Sequence, residues 1–116
     1  MDPVFDGGAA VAVKPLRADP RYRRVLAREF TMVTAENAMK FGPVHPASRR
    51  YDFRGADAIV RFARRHRMRV RGHTLVWHNQ QPKWLVEGRW SRTALGKVLR
   101  AHIRTVAGRY RGSIAA

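Results

Sequence analysis

The chain has no cysteine, which excludes disulfides, thiolate nucleophiles and cysteine-ligated zinc. Acidic residues are scarce: Asp and Glu number 8 against 24 Lys and Arg, for a formal charge of +16. No apolar run approaches the ~18 residues that suggest a membrane span, so no membrane partner is expected. The first residues, Met1-Asp2-Pro3-Val4-Phe5-Asp6, have neither a basic flank nor a long apolar stretch and do not read as a secretory signal. That leaves a cytoplasmic protein or a piece without its leader. A glycine-rich phosphate loop is also missing, since Gly7-Gly8 precedes an apolar segment rather than following one. There is no Gly-x-Ser-x-Gly nucleophile turn. His66, His73 and His78 do not match the His-Glu-x-x-His zinc spacing, so neither a metal nor a cofactor is expected.

What is present suits a folded domain. Apolar residues make up 45% of the chain, which argues against wholesale disorder, and 116 residues hold one domain at most. The basic excess would attract polyanions. Yet the basic residues scatter through the helical segments, as in Arg21-Tyr22-Arg23-Arg24 and Arg64-Arg65-His66-Arg67, rather than forming one block. A solvated surface is the favoured reading of this charge. A small basic protein that binds nucleic acid or another polyanion is the alternative.

Periodicity predicts strands alternating with helices. Ala9-Ala10-Val11-Ala12-Val13 reads as a buried strand. Asp19-Pro20 reads as a helix start, with Tyr22, Val25, Leu26 and Glu29 on one face and the apolar members turned to the core. Phe30 to Thr34 is a second strand, and Phe41 to Arg50, with two prolines and a glycine, a long loop. Asp52 is placed to cap a helix in which Ala56, Ile59, Val60 and Ala63 recur at helical spacing. Met68 to Val76 is the third strand. Ser91 caps a further helix with an apolar stripe of Leu95, Val98, Leu99, His102, Ile103 and Val106, which Gly108 would stop. Ile114-Ala115-Ala116 reads as the first residues of a fourth strand. Such alternation implies an α/β fold with a parallel sheet, without deciding between an open sheet and a barrel.

Two polar clusters stand at predicted strand ends, where parallel α/β folds bind ligands. In the first, Glu36, Asn37 and Lys40 offer a carboxylate, an amide and an ammonium, a set that can bond several sugar hydroxyls. The same spacing also fits a surface i, i+4 pair between Glu36 and Lys40, worth ~0.3–0.5 kcal/mol. In the second, His73, Trp77 and Gln80 precede Pro82 and Trp84. An indole gives a sugar ring an apolar face and an N–H donor. Taken singly, His73 also fits a core histidine, Trp77 plain packing and Gln80 a turn.

The runs Glu36-Asn37-Ala38-Met39-Lys40 and Gly72-His73-Thr74-Leu75-Val76-Trp77-His78, with Tyr51-Asp52-Phe53 and Ala56-Asp57 between them, resemble glycoside hydrolase family 10. The resemblance extends from about Ala9 to Gly112. It implies an N-terminal fragment, residues 1–116, of an eight-stranded (β/α)8 TIM barrel, covering about its first three βα units. It further implies an endo-1,4-β-xylanase that cleaves xylan with retention, using two glutamates as acid/base and nucleophile. Full-length relatives are expected to be secreted, and the partner to be xylan or a xylo-oligosaccharide. By the same resemblance Glu36, Asn37, Lys40, His73, Trp77 and Gln80 line the glycone-side subsites and do not cleave. Both catalytic glutamates are expected beyond Ala116: Tyr110-Arg111-Gly112-Ser113-Ile114 matches the approach to the first of them. Glu29, Glu36 and Glu87, the glutamates present, cannot replace that pair.

Overall fold

The computed structural model describes residues 8–73 and 81–114. Three short strands, β1 (Gly8–Val11), β2 (Met32–Ala35) and β3 (Arg69–Arg71), form a parallel sheet in the order β1-β2-β3. Between β1 and β2 lie helices α1 (Val13–Ala18) and α2 (Pro20–Glu29), and between β2 and β3 lie α3 (Phe41–Val44) and α4 (Arg54–Arg65). After β3 come α5 (Lys83–Val86) and α6 (Arg92–Arg109).

The register divides the sheet residues into two sets. Ala9, Val33 and Val70 form one row across the strands, and Val11 lies beside Ala35. Val11, Val33, Ala35 and Val70 are fully buried, in one core with Ala56, Ile59, Val60 and Ala63 of α4. The alternate rows are Gly8, Met32 and Arg69, then Ala10, Thr34 and Arg71. They fall on the other face, where Gly8, Ala10 and both arginines are exposed. Period-two alternation therefore gives one packed and one open face.

Local chemistry explains the helix ends. The Asp19 carboxylate accepts from the backbone N–H groups of Arg21 and Tyr22 at 2.9 and 3.3 Å, with Pro20 at the first helical position, as expected from the sequence. Ser91 Oγ likewise accepts from the Ala94 N–H at 3.1 Å. Helix α4 ends in a Schellman arrangement: Met68 N–H donates to Ala63 C=O and Arg67 N–H to Arg64 C=O. Arg67 takes the left-handed position there, at φ 56°, where glycine is usual. Asp57 of α4 ties down the end of α6. Its carboxylate accepts from Arg109 at 3.0 and 2.6 Å and from the Tyr110 hydroxyl at 2.8 Å. The Arg109 hydrogen bonds hold the Asp57 carboxyl below its ordinary pKa, while burial, then the bond to Asp57, push the Tyr110 hydroxyl up.

Several sequence expectations need correction. The first strand stops at Val11, and Val13 begins α1, a helix too short to show a period. Phe41 to Arg50 is not all loop, because α3 occupies its start. Val25 is 40% exposed and Ile103 41%, so neither joins the core; Leu26, His102 and Val106 carry their helices' contacts instead. The cap position of α4 is Phe53; Asp52 accepts from the Arg54 N–H and from its guanidinium. Those bonds hold the Asp52 carboxyl at about 2. Helix α6 runs past Gly108 to Arg109, and the left-handed turn after it falls on Gly112, at φ 82°. The second strand is shifted toward Ala35; the third covers Arg69–Arg71, with Met68, Gly72 and His73 not in the strand and 74–76 outside the described residues. Ile114 makes a single parallel bridge to Val70, the position expected of a fourth strand.

Candidate functional site

Glu36 follows β2 directly and its N–H donates to Val11 C=O at 2.8 Å, extending the ladder by one residue. Met32 and Thr34 lie on one side of β2, and Arg69 and Arg71 on the same side of β3; Glu36 and His73 follow them two residues on, just past the strand ends. Since Thr34 pairs with Arg71, the two candidate residues sit at the carboxyl ends of neighbouring strands, on the open face. Both line one cleft of about 570 Å³, with Ala10, Thr34 and Arg71. Glu36 also borders a second hollow of about 520 Å³, shared with Asn37, Arg17 and Asp52.

Lys40 is buried, at 8% exposure, and its Nζ donates to Asn37 Oδ1 at 2.9 Å. Residues 36–40 are not helical, so the i, i+4 geometry needed for a surface pair with Glu36 does not arise. Among the described residues Glu36 makes no ion pair. The segment is held from below: Met39 and Phe41 are fully buried. Gly55 lets it approach α4, because a Cβ there would stand 3.3 Å from Ala38 Cβ and 3.2 Å from Val13 Cγ2. The structure thus brings together Glu36, Asn37, Lys40 and His73 at one end of the sheet, with Glu36 and His73 on a shared cleft and Asn37 bonded to Lys40. Trp77 and Gln80 lie outside the described residues. Sequence reasoning missed Arg71, which also lines the cleft; the alternation of Arg69, Arg71 and His73 was the available signal.

An exposed carboxylate, an exposed imidazole and guanidinium, and a buried ammonium bonded to an amide supply donors and acceptors of both kinds. Such an arrangement can bond a polyhydroxylated ligand at several points. A retaining hydrolase instead needs two carboxyl groups ~5–5.5 Å apart, and among the described residues Glu36 is the one carboxylate lining the first cleft.

Comparison with known proteins gives the family. The profile of Glycosyl hydrolase family 10 matches residues 2–116, and the chain belongs to that family. Endo-1,4-beta-xylanase B of Paenibacillus barcinonensis is 46% identical over 114 residues, 95% of this chain and 33% of that protein. Endo-1,4-beta-xylanase B of Thermotoga neapolitana is 44% identical over 94 residues, 81% of this chain and 27% of that protein. The chain therefore spans about a third of the length of the curated relatives it matches. Among solved structures, xylanase 10B from Thermotoga petrophila RKU-1, in complex with xylobiose, superposes with a TM-score of 0.87 at 39% identity, over 92% of this chain and 33% of that one.

Proposed function

We propose that these residues form the first three βα units of a (β/α)8 barrel and supply the glycone-side sugar subsites of an endo-1,4-β-xylanase. The observation that carries this reading is the placement of Glu36 and His73 on one cleft at the carboxyl ends of adjacent parallel strands. Glu36, Asn37, Lys40 and His73 bond xylose hydroxyls, and Trp77 and Gln80 complete the set. The acid/base and nucleophile lie outside these 116 residues, which bind xylo-oligosaccharide without cleaving it. The xylobiose complex of a family member is consistent with that ligand class.

Titration calorimetry with xylotriose tests the reading. Wild-type chain should bind, and Lys40→Met and His73→Ala should each weaken binding by about 2–4 kcal/mol, ~30- to 1,000-fold, with little change in melting temperature. Reducing-sugar release from xylan should stay at background. Sugar release abolished by Glu36→Gln would overturn the division of labour. Unchanged affinity in both variants would remove the site.

A further inference from the structure

Beneath the candidate site lies a stack of rings that the sugar-binding reading does not use. His45, the residue after α3, is 4% exposed, and His102, in the middle of α6, is fully buried. Their Nδ1 atoms face each other at 3.1 Å. Phe41 stacks on His102 with centroids 3.6 Å apart, Tyr51 stacks on His45 at 3.9 Å, and Trp84 tilts against His45 at 4.7 Å. The Trp84 indole N–H donates to the His45 carbonyl at 2.9 Å.

The hydrogen-bond chemistry fixes the proton arrangement of the neutral His45 ring. His45 Nε2 lies 3.0 Å from the Ser48 carbonyl oxygen, which can only accept. So Nε2 carries a proton. In the neutral ring His45 Nδ1 is then an acceptor, and the proton between the two rings belongs to His102 Nδ1. One added proton would be a buried cation, and among the described residues His45 has no carboxylate partner. A second would put two N–H groups head to head across 3.1 Å. Among the described residues, Tyr51 belongs to the stack, and the ionisable groups adjoining these rings in sequence are Lys40 (bonded to Asn37), Asp52 (bonded to Arg54) and the exposed Lys83–Glu87 pair of α5.

The pair also sits at a junction. Phe41 follows Lys40 directly, and Trp84 lies in α5. We propose that His45 and His102 are positioning residues that form a proton-operated latch: neutral, they fasten the Lys40 segment and the Trp84 segment to α6, and acid releases them. The burial that makes the contact also lowers the His45 pKa, so protons bind the open form in preference to the latched one. Stability from the latch is complete above ~6.5, the ordinary histidine value, and is lost as pH falls below it. The latch itself does not depend on the sugar-binding reading. Its consequence for affinity does.

The test follows the imidazole signals and the Trp84 indole N–H of the intact chain by nuclear magnetic resonance from pH 8 to 4.5. His45 and His102 should titrate together, below the ordinary histidine value of ~6.5, and the Trp84 signal should change in the same step. Xylotriose affinity should fall with it, by at most about tenfold per pH unit for one linked proton. His102→Asn keeps an amide donor toward His45 Nδ1, and its oxygen can turn to accept once His45 is protonated. This variant should hold Trp84 in place at neutral pH and lose the acid step. Titration of both histidines at or above that ordinary value, or a Trp84 signal indifferent to pH, would overturn the latch, as would an acid step that persists in His102→Asn. Absence of xylotriose binding at every pH would count against the sugar subsites alone, since the histidine–Trp84 coupling is read without sugar.

Discussion

Val33 and Thr34 are neighbours on β2 with opposite surroundings. Val33 is fully buried in a row with Ala9 and Val70, under α4. Thr34 stands between Ala10 and Arg71 on the open face, and the next residue on that side is Glu36. One backbone register thus serves two purposes. The packed face fixes the strands, and the open face inherits their spacing and uses it to aim polar groups. Residues of the first kind bear on stability, and those of the second can vary in chemistry at little cost to the fold.

The largest expected effect that tests this division is on the packed side. Ile59→Ala, at a fully buried position of α4, should cost about 2–5 kcal/mol in urea unfolding. A loss below 1 kcal/mol would mean that the helix layer does not hold the sheet. A smaller effect of opposite sign is expected at the end of the same helix. Arg67→Gly relieves the left-handed backbone while the glycine gains freedom in the unfolded chain, leaving a net gain of about 0.5–1 kcal/mol; a lowered melting temperature would refute it. The smallest is on the open face: Thr34→Ala should stay within about 0.5 kcal/mol of wild type. A penalty near that of Ile59→Ala would erase the distinction between the faces.

The alternation of strands and helices was legible because β2 and α4 are long enough to show a period. Asp19-Pro20 and Ser91 were legible because caps are set by local chemistry. Helices α1 and α3, of six and four residues, were not, since neither completes two turns. Gly108 drew the predicted stop, yet the left-handed turn came at Gly112, and the turn after α4 used Arg67 with no glycine at all. Backbone bonds to Ala63 and Arg64 select that conformation, and they leave no mark in composition. In the candidate site, Glu36 and His73 could be placed at strand ends from sequence. Their shared cleft with Arg71 required the register. The meeting of His45 with His102, across 57 residues, required the tertiary fold.

The bonds among Asp57, Arg109 and Tyr110 carry a consequence for the order of folding. Tyr110 is pinned to α4, the chain turns at Gly112, and Ile114 pairs with Val70 of β3. Taken alone, that pairing closes a long loop, and closure entropy makes such contacts slow to form. Once α6 has docked through Asp57, the search shrinks to the few residues between Tyr110 and Ile114. The clamp thereby turns a distant encounter into a nearly local one, and β3 can template its next neighbour as soon as α6 is in place.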